Sequence, residues 1–172
     1  MDCFIVNQNK YNLAIDIGTK HFAYCLYYPE NNNFIFNIME ISKQDKINSL
    51  INWIDSLPDG LTEIIIEQQV KNNVEAMIIQ NIIMTICELK KINYKLFNPK
   101  NKFSYLNENM KEMNYRRRKQ KSVDYAKKIL YKLNESKLNE LIKLNKKDDV
   151  SDAICMCVMS YLDKGNIIEL LN

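Results

Sequence analysis

Four carboxylates stand where an apolar segment meets its end. Asp16 closes LAIDIGT, Glu67 closes TEIIIE, and Asp149 and Asp152 open DDVSDAICMCVM. A carboxylate at the edge of a buried segment is costly unless something cationic meets it. Asp149 and Asp152 are spaced i, i+3 and so share one face of a helix, which Asp148 does not. If the four acids converge, repulsion raises their pKa values or drives them apart unless divalent cations sit between them. Oxygen-only ligands suit Mg²⁺ or Mn²⁺, and two such ions roughly 4 Å apart activate a water and stabilise the leaving oxygen in phosphodiester hydrolysis. Each acid alone has an ordinary explanation, as a turn residue or as a charge matched to a helix dipole. Their joint placement carries the metal reading.

The elements that must position these acids are legible from apolar spacing. Tyr11–Ile17 and His21–Tyr28 read as strands joined by a turn at Gly18, and Asn33–Ile41 alternates as a third, giving an antiparallel meander. Ser42 is the expected N-cap of a helix through Ile47, Leu50, Ile51 and Ile54 that Pro58-Asp59-Gly60 stops. Thr62–Glu67 reads as a strand buried on both faces, Asn73–Lys91 as a helix, and Tyr94–Phe97 as a short strand. From Lys100 to Lys121 the pattern dissolves into polar and basic residues, so a loop is expected there, with Ser122 capping the helix that follows. Leu138–Leu144 and Val150–Leu162 complete the chain as a short and a long helix. In this order the first and fourth strands are neighbours, and the last helix can lie across them. The four acids then meet.

Composition bounds the partners. The 172 residues suit one domain. No apolar run reaches membrane-spanning length, and the start lacks a basic stretch followed by an apolar core, so an intracellular protein without a membrane partner is expected. Five cysteines and one histidine favour reduced thiols used in packing. The net charge of +3 hides an asymmetry: residues 1–89 carry −6, residues 90–147 carry +13 and residues 148–172 carry −4. A basic block of that size points to a polyanion, through phosphate contacts and counterion release. Arg116, Arg117, Arg118 and Lys119 are the candidate phosphate-binding run. Phe103 and Tyr115 are aromatics of the same segment placed to stack on an unpaired base. His21 reads as a strand surface residue, and Trp53 as core or interface.

Asp16 in AIDIGT, Glu67 in IIIEQQ, Lys121-Ser122 in QKSVDYAKKIL and Asp149-x-x-Asp152 in KKDDVSDAIC together resemble the four signature blocks of the RuvC-like Holliday junction resolvases, the poxvirus branch most of all. The resemblance runs from about Leu13 to Tyr161. It implies an α/β fold of the RNase H-like type, with a mixed five-stranded sheet (antiparallel meander plus parallel strands) flanked by helices. Residues 1–172 would form a single nuclease domain with a basic loop at about 100–121. It further implies a homodimeric, Mg²⁺-dependent endonuclease that cuts four-way DNA junctions symmetrically, working in the host cytoplasm or the virion. By the same resemblance Asp16, Glu67, Asp149 and Asp152 are the catalytic metal ligands. Lys121 is the active-site cation, with Lys119 its competitor because the basic run leaves the register open.

Other readings remain. The acids alone also suit an RNase H-type nuclease acting on RNA–DNA hybrids, and the basic block suits a non-catalytic nucleic-acid-binding domain. DIGT also resembles the phosphate-binding turn of actin-like ATPases, but those need two similar domains, and 172 residues suit one.

Overall fold

A computed structural model describes residues 10–19, 21–42, 44–104 and 113–172 of the chain. Cys3 and the middle of the basic segment, 105–112, lie outside the described residues. The strands β1 (Tyr11–Ile17), β2 (His21–Tyr28) and β3 (Asn33–Glu40) form the antiparallel meander. β4 (Leu61–Glu67) pairs parallel to β1, and β5 (Tyr94–Phe97) pairs parallel to β4. The sheet order is β3-β2-β1-β4-β5, the mixed five-stranded arrangement expected from the sequence. Between β1 and β2 the backbone folds back so tightly that a Cβ on Gly18 would run into the His21 carbonyl oxygen. Only glycine fits there.

Helices cover both faces of the sheet. On one face α1 (Lys46–Asp55) and α2 (Val74–Lys90) pack on Leu13, Ile15, Ile64 and Ile66. On the other α4 (Tyr115–Leu133), α5 (Glu135–Lys143), α6 (Lys147–Tyr161) and α7 (Lys164–Leu171) pack on Ala14 and Ile65, after the single turn α3 (Asn101–Ser104). Strand side chains alternate between faces, so Asp16 points the way of Ala14, and Glu67 the way of Ile65. Both acids therefore face α4 and α6. Because β1 and β4 are parallel and their register runs to the pair Ile15 and Ile66, the two acids end their strands at the same edge.

The helix boundaries correct the sequence reading in several places. Asp45, not Ser42, caps α1, its Oδ1 accepting from the Asn48 amide at 3.3 Å, while the Ser42 hydroxyl accepts from the Asp45 amide at 3.3 Å. The expected loop is helical at both of its described ends, over 101–104 and from Tyr115 onward. Asn114 is the cap of α4, its Oδ1 accepting from the Arg117 amide at 2.9 Å, and Ser122 is buried inside the helix instead of starting it. Arg, Lys and Gln are strong helix formers, and a helix end that projects past the core needs no apolar repeat. The run Arg116–Lys121 is thus helix without the periodicity that announces one. α6 begins at Lys147 and ends at Tyr161, and α7, capped by Asp163, is an addition to the expected elements. Phe103 is buried, 6.4 Å from the Tyr125 ring, and is no exposed stacking residue. Trp53 packs on Phe22 and Tyr24, and the four described cysteines are buried free thiols. Among the described residues no helix is long and apolar enough to cross a membrane.

Candidate active site

Three elements deliver the four acids to one cleft. Asp16 and Glu67 come from the ends of β1 and β4, side by side at the same edge of the sheet. The Gln69 side chain donates to Glu67 Oε2 at 3.0 Å, and the Gln69 amide donates to Gln80 Oε1 on α2 at 2.7 Å, so the orientation of Glu67 is tied to a core helix. α6 starts with no side-chain cap but with Asp148 and Asp149 in its first turn, where the positive end of the helix dipole favours negative charge. Asp152 follows one turn later, 4% exposed, between α6 and the sheet.

Two ammonium groups meet these acids. Lys119 Nζ on α4 stands 2.8 Å from Asp149 Oδ1, 2.8 Å from Asp152 Oδ2 and 3.9 Å from Asp16 Oδ2. Lys102 Nζ on α3 bonds the other oxygen of Asp152, Oδ1. Both carboxylate oxygens of Asp152 are therefore taken by lysines. Of the two lysines expected for the active-site cation, it is Lys119 that stands among the acids, while Lys121 Nζ lies 6.0 Å from the Tyr125 ring centroid. Lys102 is a residue that the sequence reading misses. The segment NPKNKFSY offers no periodicity and no motif that would separate Lys102 from Lys100.

The electrostatics follow from burial and company. Burial, then Glu67 and Asp152, push the Asp16 carboxyl well above the usual carboxylate range, and Lys119 only partly offsets them. Asp152 is the opposite case: burial opposes its charge, but Lys102 and Lys119 outweigh burial and hold its pKa below the usual value. The ammonium of Lys119 is likewise held charged, burial being outweighed by Asp152 and Asp16. Asp16, unlike Asp152, is thus an acid for which the fold supplies too little positive charge.

The cleft encloses about 470 Å³ and is lined by Asp16, Glu67, Lys102, Lys119 and Asp152, with Tyr115 and Arg118 among its walls. An adjoining hollow of about 210 Å³ shares Asp16, Tyr115 and Lys119 and adds Gly18, His21 and Asp149. His21, at the partly exposed start of β2, has its Nε2 3.7 Å from Asp149 Oδ2 and 2.6 Å from Lys146 Nζ. Arg116 and Arg117 are exposed on the first turn of α4, and Arg118 is half-buried.

The donor set suits a hard divalent cation, because every candidate ligand is a carboxylate oxygen. Neighbouring carboxyl groups that disfavour one another's charge call for a proton or a cation between them, and Glu67 acts on Asp16 in this way. On the other side Lys119 takes the place between Asp149 and Asp152, and among the described residues no three acids, histidines or cysteines stand together at metal-holding spacing. The residues fit the ion at the Asp16–Glu67 pair, and Lys119 must yield for Asp149 and Asp152 to join it.

A stability prediction follows from Asp16. A carboxyl whose folded-state pKa is raised adds stability that is full below its unfolded pKa and lost as pH rises through the folded value. Without divalent ions, Asp16→Asn should therefore melt higher than wild type at pH 7 to 8, by roughly 2–4 °C. The difference should vanish near pH 4, where the wild-type carboxyl is protonated. Thermal melts across this range check it, and a variant that melts lower at every pH would contradict it.

Comparison with known proteins fits this geometry. The family model described as poxvirus A22 protein matches residues 12–164. No curated protein matches the sequence. Among solved structures, the fowlpox virus resolvase in complex with its substrate Holliday junction DNA is similar at 21% identity and a TM-score of 0.65, covering 94% of this chain and 99% of that one. The fowlpox virus Holliday junction resolvase alone gives 20% identity and 0.61, covering 88% and 96%. Thermus thermophilus RuvC in complex with a Holliday junction substrate gives 10% and 0.54, covering 87% and 90%.

Proposed function

The chain belongs to the poxvirus A22 protein family, and from that premise we propose that it is a metal-dependent endodeoxyribonuclease that resolves four-way DNA junctions by paired, symmetric phosphodiester hydrolysis. The observation that carries this reading is the convergence of Asp16, Glu67, Asp149 and Asp152, from three elements, with the Lys119 ammonium between them. Fold similarity to resolvases solved with junction DNA supports it.

In this reading the four acids hold Mg²⁺, with Mn²⁺ able to substitute and two ions per site. When bound, the metal supplies an activated water and stabilises the leaving oxygen. The chain's own residues do the rest. Asp16 and Glu67 hold a rigid pair of oxygens at the sheet edge, steadied through Gln69 and Gln80. Asp149 and Asp152 would hold the ion together with Asp16 and Glu67, and the Lys119 ammonium would face the scissile phosphate, where negative charge develops. Arg116, Arg117 and Arg118, fanned around the N-terminal turn of α4, hold the flanking backbone, and the 66% exposed Tyr115 stands at the cleft for stacking on a base.

Paired cuts call for two sites in the two-fold symmetry of the junction, so the working form is a homodimer with an isologous interface. Val74, Ile78, Ile82, Thr85 and Leu89 follow one another at helical spacing along the outer side of α2, and Val74, Ile78 and Leu89 are exposed. Ile83, on another side of α2, belongs to the core. That stripe is the proposed contact. The proposed place of action is an infected cell's cytoplasm or the virion.

The test is incubation with labelled four-way junction, duplex and RNA–DNA hybrid, with and without Mg²⁺. The junction should be cut, and only with the metal. Cutting of the hybrid alone would favour the RNase H-type reading, and metal-insensitive binding without cutting a non-catalytic domain. Replacing Arg116, Arg117 and Arg118 by Ala should weaken junction binding while the rate at saturation holds. Its salt dependence should flatten by roughly one unit of slope for each phosphate that the protein no longer neutralises. Binding curves at several salt concentrations check it.

A further inference from the structure

Lys102 is an oddity of the site. It is 3% exposed, yet its ammonium is aimed at a carboxylate that Lys119 already neutralises. A buried ammonium is costly, and Asp152 needs only one positive partner for its charge. The second partner does something different: it selects which oxygen is free to act. Lys102 Nζ takes Oδ1, on the side of α3, and leaves Oδ2 toward Lys119 and the cleft. α3 is itself seated, because the neighbouring Phe103 is buried beside Tyr125 of α4 and the turn packs on α6. The clamp on Asp152 is thus anchored in the core, not swung from a surface side chain.

We propose that Lys102 is a positioning residue that fixes the carboxylate of Asp152, so that only Oδ2 can be exchanged between Lys119 and a bound divalent cation. The proposal rests on the metal-dependent nuclease reading above and adds to it a residue that limits metal affinity in favour of a defined geometry. Without Lys102 the Asp152 carboxylate is free to rotate, since its last torsion is broad, and the site loses one positive charge. A cation then binds more tightly but is held in the wrong pose.

Calorimetric titration of Mn²⁺ into the full chain without DNA reads the first half of this, and single-turnover cleavage of a four-way junction at saturating Mn²⁺ reads the second. Lys102→Met should bind Mn²⁺ about tenfold tighter, since a like charge has left the site. It should cleave about tenfold slower or worse, since a misplaced ligand is a misplaced reaction. Metal-free junction affinity should stay within about twofold, because the groups that meet phosphate are unchanged. Lys102→Arg, which restores both charge and donor, should recover metal affinity and much of the rate. Lys102→Gln covers the case in which the Met variant fails to fold, and should show tighter Mn²⁺ binding with a smaller fall in rate. Parallel weakening of metal binding, rate and melting temperature would mean that Lys102 merely holds the fold together. Wild-type metal affinity and rate in the Met variant would overturn the proposal as directly. Wild-type protein that takes up Mn²⁺ and cuts no junction would instead overturn the nuclease reading, and the titration would still decide whether Lys102 competes for Asp152.

Discussion

Asp152→Asn should reduce junction cleavage by about 10³-fold or more, with Mg²⁺ present and junction binding retained. The amide keeps the shape of the side chain but not its charge, and this charge is what both Lys102 and Lys119 face. Under the proposed function Arg116 to Arg118 and the basic surface carry binding, not the acids, so binding should survive. Asp16→Asn and Glu67→Gln should match this fall in rate, yet the Asp variants part company in stability. Asp16→Asn removes a carboxyl that its neighbours hold at too high a pKa, and stabilises the metal-free protein. Asp152→Asn strips the shared partner from two buried ammonium groups and should destabilise by about 3 kcal/mol, since breaking a buried pair strands a charge. Rate, affinity and melting temperature measured on the same preparations check all three statements. A variant with near-wild-type cutting would remove its residue from the site, and equal stability changes in the two Asp variants would contradict this charge balance.

The second large effect concerns the lysines of α4. Lys119→Ala should slow single-turnover cleavage about 10²-fold, while Lys121→Ala should stay within about threefold of wild type. Lys119 is the cation within 4 Å of three of the acids, at 2.8, 2.8 and 3.9 Å, and so is already where charge on a bound phosphate would develop. Lys121 is two residues further along a helix, about 200° around its axis, and cannot share that face. Lys119→Ala should also bind the junction slightly less well, because one positive charge leaves the cleft. A slow Lys121 variant beside a fast Lys119 variant would return the role to the residue that the motif resemblance implies.

What the sequence discloses depends on which residues carry a periodic signal. Asp16 and Glu67 are legible because each ends a run of β-branched and apolar residues, and the strand neighbours follow from element order alone. Asp149 and Asp152 are legible because the helix behind them is apolar nearly all round. The lysine that stands among the acids, Lys119, is hard to tell from Lys121 in sequence, because a basic helix end has no apolar stripe to set its register, and the same lack of pattern makes Arg116–Lys121 read as loop. Ser42 and Ser122 read as caps, but Asp45 and Asn114, equally good cap residues nearby, sit at the true helix starts. Lys102 and His21 cannot be found this way. Their roles arise from tertiary contact, 50 residues away in sequence for Lys102 with Asp152, and 125 for His21 with Lys146. No local pattern encodes either pairing.

Two copies of this site should cut one junction in concert. A supercoiled plasmid that extrudes a cruciform offers a single junction, and its products separate the outcomes: paired cuts within one encounter give a linear molecule, whereas lone cuts relax the cruciform and leave a nicked circle. With Mg²⁺ and protein whose light scattering reports twice the chain mass, linear product should appear from the first turnover, and weakening the α2 contact with Ile78→Glu should convert it to nicked circle. A stable monomer that yields only nicked circles would contradict both the dimer and the resolvase.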